Sequence, residues 1–165
     1  MTGIQPAQPP ELSQIDDLHL RRAIELSRVA APGGGDLPFG AVVVLGDQVI
    51  GEARNEIATR SDPTAHAEIL ALRAAGTRLG RPDLTGAMLY SSSEPCPMCL
   101  AACLWARIER VVHAATVDDT AECGFEDREF YRQVTLPKQE RMLDVAADGR
   151  MRSDAIEALG RWSDA

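Results

Sequence analysis

Two rhythms of apolar and polar positions run along this chain. Asp16 to Ala31 reads as a helix, with Leu18, Ile24 and Leu26 marking its apolar residues, and Pro32-Gly33-Gly34-Gly35 ends it. Phe39 to Leu45 is then a continuous apolar run with three valines, the signature of a buried strand. Gly46-Asp47 is a turn pair, and Gln48 to Ala53 reads as the returning strand of a hairpin. A second helix is predicted from Asp62-Pro63, with Ile69, Leu72, Gly76 and Leu79 along one face. Strands are predicted at Gly86–Ser91 and Ile108–Ala115, with a helix from Pro95–Cys96 to Arg107 between them. After a loop ending in Gly124-Phe125 come a short helix near Glu126–Val134 and a last one from Asp154 to Trp162.

The order α-β-β-α-β-α-β-α-α predicts an α/β sandwich, with helices covering a sheet. The strand–helix–strand unit over residues 86–115 is expected to be right-handed and parallel. Residues 1–14, rich in Pro and Gln, read as a flexible N-terminal arm. Residues 15–165 read as a single domain that includes a C-terminal helical segment.

Composition narrows the function. The 165 residues are 45% apolar and 25% charged, as in an ordinary globular domain. No apolar stretch of membrane-spanning length occurs, and the N-terminus has neither a basic start nor an apolar run, so a cytoplasmic protein without a membrane partner is expected. Acidic residues outnumber basic ones 25 to 17, for a net charge of −8. Nucleic-acid binding is driven by basic surface that releases counterions, so nucleic acid is an unlikely partner and a small molecule is favoured. Cysteines 96, 99, 103 and 123, in a chain with no export signal, point to metal or catalysis before disulfides.

The chemistry concentrates in DPTAHAE (62–68) and EPCPMC (94–99). Cys96 and Cys99, three apart at a helix start, would lie near the positive end of the helix dipole, which eases thiol ionisation. With His66 they make a three-ligand zinc set that leaves a fourth position for water. Glu68 is not needed as a ligand and can work as a general acid–base. Residues two apart do not share a helix face, so His66 and Glu68 can reach one metal only at the very start of their helix.

HAE and PCPMC match the H-x-E…P-C-x-x-C signature of the zinc-dependent cytidine-deaminase superfamily. PFGAVVV (38–44), Asn55, DPTAHAEI (62–69), LYSSSEPCPMCLAACLWARI (89–108) and GFED (124–127) resemble bacterial guanine deaminases, and more loosely plant guanosine deaminases and tRNA adenosine deaminases. The resemblance covers about residues 18–135. It implies a three-layer α-β-α sandwich, with a mixed central sheet and helices on both faces. It implies one Zn2+ per chain on His66, Cys96 and Cys99, and hydrolytic deamination of a free nucleobase, guanine first, to xanthine and ammonia. Zinc hydroxide would attack the amine-bearing carbon, with Glu68 as proton shuttle. Asn55, Phe39, Trp105 and Asp127 would bind the base, with the backbone of Ala67 and Ser93 in reach. A homodimer is implied too, and at the C-terminal end RWSDA Trp162 is the candidate for closing a partner's pocket.

Plainer roles compete at several positions. Trp105 can be helix packing, Asp127 a helix N-terminal charge, and Asn55 a strand-end turn residue. Cys103 and Cys123 read as packing cysteines, His113 as a core histidine, His19 as a surface helix residue. Related rings (an aminotriazine, azacytosine, cytosine or a nucleoside) are alternative substrates, and editing of tRNA adenosine is the rival reaction. A deaminase-fold binding protein without turnover is the rival from another class; an intact Glu68 argues against it.

Overall fold

The computed structural model describes residues 12–29 and 35–163. Most of the N-terminal arm expected at residues 1–14, and the proline–glycine break at residues 32–34, lie outside the described residues. The chain divides into two compact units, residues 1–131 and 132–165.

The first unit is built on a four-stranded sheet of order β2-β1-β3-β4. Its strands are β1 (Gly40–Leu45), β2 (Gln48–Arg54), β3 (Ala87–Ser93) and β4 (Arg110–Ala115). β1 runs antiparallel to β2 and β3, and β3 runs parallel to β4, so the sheet is mixed. Gly46 and Asp47 close the hairpin, with Leu45 opposite Gln48 and Gly46 at φ +59, where glycine is favoured.

Alternation along the strands separates two cores. Ala41, Val43 and Leu89 pack with Ala67, Ala71 and Ala75 of helix α3 (Ala67–Leu79). Val42, Val44, Tyr90 and Val112 pack with Leu20 and Ala23 of helix α1 (Gln14–Ser27). Because successive side chains point to opposite faces, β1 and β3 are buried on both sides. This is the expected sandwich with helices on both faces. The layers approach closely: a Cβ at Gly51 would stand 2.3 Å from the Ala71 carbonyl oxygen, and one at Gly40 2.2 Å from that of Ala23.

Several expectations are corrected. Asp62-Pro63 does not start α3. The Asp62 carboxylate instead accepts from the Thr64 N–H (2.8 Å) and hydroxyl (2.7 Å), a local turn, and the helix begins at Ala67 with His66 as N-cap. α1 starts at a Ser13–Asp16 capping box rather than at Asp16. Its buried stripe is Asp16, His19, Leu20 and Ala23, so His19 is not a surface residue, while Leu18 is largely exposed. The stripe was masked by polar members: the His19 ring lies 5.0 Å from that of Tyr90, and Tyr90 donates to Asp16 at 2.8 Å. Two short helices were not foreseen, α2 (Ile57–Arg60) and α5 (Val117–Glu122), because one turn carries too little periodicity. Cys103 is buried in the α3-side core, as read. The remaining helices are α4 (Pro97–Trp105), α6 (Arg128–Thr135) and, in the second unit, α7 (Arg152–Ser163), which follows two single 3-10 turns.

Candidate metal centre and active site

Two helix starts meet at one point. His66 is the N-cap of α3; Cys96 is the N-cap of α4, and Cys99 lies in its first turn. His66 Nδ1 stands 3.7 Å from Cys96 Sγ and 3.6 Å from Cys99 Sγ. A tetrahedral zinc with Zn–S near 2.3 Å and Zn–N near 2.0–2.1 Å requires S···N separations of about 3.6 Å. The three donors therefore fit that ion, and two sulfurs with one imidazole suit zinc chemically. Among the described residues, this is the group of His, Cys, Asp or Glu side chains whose donor atoms converge to within 4.8 Å of one another. Cys103, one turn further along α4, stays in the core, and burial pushes its thiol up to about 12.

Electrostatics at the centre follow from burial and shared protons. The hydrogen bond with Cys99 holds Cys96 down at about 4, and the same contact, with burial, pushes Cys99 up. The bond to Cys96 raises His66. A cation at this point would favour both thiolates and neutral imidazole.

Glu68, in the first turn of α3, is only 4% exposed, and burial raises its carboxyl. Its Oε1 accepts from the Ser91 hydroxyl at 3.1 Å, and its Oε2 lies 3.5 Å from Cys99 Sγ. A buried carboxylate of the kind that can serve as a general acid–base thus sits directly beside the candidate ligand set.

The centre opens onto a cleft of about 250 Å³ whose lining includes His66, Glu68 and Cys96. All three phenylalanines of the chain line it: Phe39, Phe125 and Phe130. Phe39 and Phe125 meet edge to face, with centroids 5.3 Å apart. Asp127 and Ser93 also line it, and burial raises Asp127.

Asn55 is fully buried beside this wall. Its N–H donates to the Phe39 carbonyl (2.9 Å), and its Oδ1 accepts from the N–H groups of Leu37 and Ile57, both at 3.2 Å. Its Nδ2 has no hydrogen-bond partner among the described residues. Ala67 is buried in the core, and as the first residue of α3 its N–H has no acceptor within the helix.

Trp105 is not brought to the cleft. It ends α4, roughly 13 Å of helix rise from Cys96 at about 1.5 Å per residue, and is 87% exposed. The expected Trp105 wall is not formed within one chain; Phe125 and Phe130 supply it. The sequence reading missed those two, and also Ser91, Glu94, which lines the cleft, and Tyr131, whose hydroxyl donates to the Pro95 carbonyl. The signal available was GFEDREFY itself, with aromatics at three of eight positions in an otherwise mostly charged run.

Comparison with known proteins agrees with this geometry. Residues 13–115 match the cytidine and deoxycytidylate deaminase zinc-binding region. The chain is 44% identical over 124 residues to guanine deaminase of Bacillus subtilis, covering 75% of this chain and 80% of that one. It is 40% identical over 100 residues to the tRNA-specific adenosine deaminase of the same species, covering 61% and 62% of the two chains. The crystal structure of guanine deaminase from Bacillus subtilis superposes with a TM-score of 0.82 at 38% identity, covering 88% of this chain and 93% of the other. A buried His-Cys-Cys set at two helix starts, an adjacent buried glutamate and these matches lead to one conclusion: this chain belongs to the zinc-binding cytidine and deoxycytidylate deaminase family.

Proposed function

We propose that this protein hydrolytically deaminates a free nucleobase, guanine first, giving xanthine and ammonia. The observation that carries the reading is the cleft. Its lining includes His66, Cys96 and Glu68 together with three phenylalanines and Asp127. Its volume of about 250 Å³ lies near the lower limit of ligand sites, roughly 300 Å³, which suits a bare ring system.

Zinc held by His66, Cys96 and Cys99 would supply hydroxide near neutral pH, because it lowers the pKa of bound water to about 7. Glu68 would take up the proton released there and give it to a ring nitrogen, then take the proton of the hydroxyl newly bonded to the ring carbon and give it to the departing amine. A C–O bond forms at the amine-bearing carbon, the C–N bond breaks, and one water is consumed for each ammonia released. Burial of Glu68 raises its carboxyl, which suits a group that must both hold and give up a proton.

Phe39, Phe125 and Phe130 would sandwich and edge the planar ring. Asn55 Nδ2, a buried donor without a partner among the described residues, would donate to a ring carbonyl and regain about 1–3 kcal/mol of lost solvation. Asp127 would accept from ring N–H groups, of which guanine has several. The Ala67 N–H and Ser93 would contact the base or leaving group.

Curated relatives include tRNA-specific adenosine deaminases. Against that rival, the cleft carries Glu68, Glu94, Glu126 and Asp127, a poor surface for a polyanion. Aminotriazine, azacytosine, cytosine and nucleosides stay as alternative substrates. The reading includes a homodimer, supported by exposed Leu100, Leu104 and Trp105 on α4, and a cytoplasmic location, supported by the free cysteines. No helix among the described residues is long and apolar enough to cross a membrane.

The test is ammonia release by zinc-loaded protein offered guanine, guanosine, adenine, cytosine and an aminotriazine separately, with Glu68→Ala as blank. Release from guanine that disappears in the variant is expected. Release from another ring alone would move the substrate and overturn the roles of Asp127 and Asn55. Equal behaviour of parent and variant on every ring would end the enzyme reading.

A further inference from the structure

We infer that Ser91 is a positioning residue for Glu68: its hydroxyl pins one carboxylate oxygen, leaving the other to handle the proton. The inference rests on the deaminase reading above.

The geometry at both ends is rigid. Ser91 is fully buried on β3, an inner strand, where it pairs with Ala41 of β1 and His113 of β4. Its side chain emerges on the same sheet face as Ala87 and Leu89, under α3. The next residue back, Tyr90, points to the opposite face and is anchored on Asp16 at 2.8 Å. Glu68 projects from the first turn of α3, a helix seated against the sheet closely enough that Gly51 has no room for a Cβ. Neither partner can drift, so the 3.1 Å bond from Ser91 Oγ to Glu68 Oε1 fixes the carboxylate.

The three consecutive serines show that this is not generic satisfaction of a hydroxyl. Ser92 accepts from the backbone N–H of Gly40 at 3.0 Å, a structural use. Ser93 lines the cleft. Ser91 alone reaches the carboxylate. With Oε1 held, Oε2 is the oxygen presented toward Cys99, 3.5 Å away, where the reacting oxygen and amine must sit. A shuttle works only in the rotamer that reaches both, and a neighbouring hydroxyl selects that rotamer without touching substrate.

The experiment uses the full chain, zinc-loaded, as parent, S91A, S91T and E68A. For the ring the parent deaminates, S91A is expected to lose roughly tenfold to hundredfold in kcat, with KM within about twofold. Zinc content stays at the parental level, and S91T, which keeps the hydroxyl, recovers most of the rate. In the crystal structure of zinc-loaded S91A, the Glu68 carboxylate leaves its parental rotamer. Parental kcat in S91A, or a rate loss matched by lost zinc or by a higher KM, overturns the inference. So does an unchanged Glu68 rotamer. If parent and E68A are equally silent on every ring, the deaminase reading fails, and the rotamer comparison still decides the role of Ser91.

Discussion

The hydroxyl of Tyr131 donates to the carbonyl of Pro95, the residue before the first cysteine of the metal set. This one contact ties α6 to the loop that presents Cys96. It also holds Asp127 and Phe130, which line the cleft, next to the metal centre. Tyr131→Phe removes the bond and little else, at a stability cost of about 1 kcal/mol. The expected effect is a several-fold rise in KM with zinc content unchanged, because the wall loosens while the ligands remain. Steady-state kinetics with metal analysis checks it; an unchanged KM would show that α6 is held by other contacts.

Metal removal should be visible without any substrate. Zinc in thousandfold excess over its Kd stabilises the folded state by about 4 kcal/mol. At this chain length each kcal/mol is worth about 2–4 °C, so chelation is expected to lower Tm by roughly 8–16 °C, reversibly. Cys96→Ser should abolish the response. A Tm indifferent to chelator in the parent would mean that His66, Cys96 and Cys99 do not hold the ion in the fold.

Asp16 predicts a pH effect far from the active site. Hydrogen bonding from the Ser13 N–H, with help from Tyr90 and Arg110, holds its carboxyl below the usual value. The folded pKa is thus below the unfolded one, near 3.9. The ionised form stabilises the fold above that pH, and the contribution drains away as pH falls through about 4 toward the folded pKa. Asp16→Asn is expected to cost about 1.5–3 kcal/mol at pH 7, since hydrogen bonds to a charged group are lost. The gap between parent and variant should narrow below pH 4 in urea titrations; a gap independent of pH would refute the assignment.

Gly51 tests the packing of α3. A Cβ there would press on the Ala71 carbonyl oxygen at 2.3 Å and the Ala75 nitrogen at 2.8 Å, both backbone atoms. Gly51→Ala is expected to cost about 3 kcal/mol, the upper end of overpacking, and to lower Tm by roughly 6–12 °C. Because α3 carries His66 and Glu68, activity should fall at temperatures where the variant is still folded. A thermal melt and an assay at low temperature separate the two effects.

Much of this was legible in the residues alone. The valine run at 42–44 can be buried only as a strand covered on both faces, and the Gly46-Asp47 pair permits only a tight reversal. HAE and PCPMC specify zinc chemistry because thiolate, imidazole and carboxylate have few other reasons to occur in that pattern. Those features depend on local conformation and on the chemistry of single side chains, which a linear sequence carries.

What the tertiary structure decided involves residues distant along the chain. The buried stripe of α1 contains Asp16 and His19, and the Tyr90 ring and hydroxyl, brought in on β3, and Arg110, brought in on β4, join the local Ser13 cap in making that burial tolerable. Trp105 lies in a stretch resembling the family, yet the length of α4 carries it away from Cys96. Phe125 and Phe130 line the cleft instead, and the hydrogen bond from Tyr131 to Pro95 ties their segment to the residue before Cys96. Which serine of three meets Glu68 was set by the register of β3 against its neighbours, since a shift of one residue would turn Ser91 to the opposite face. Contacts of this kind depend on packing between elements, and no local pattern encodes them.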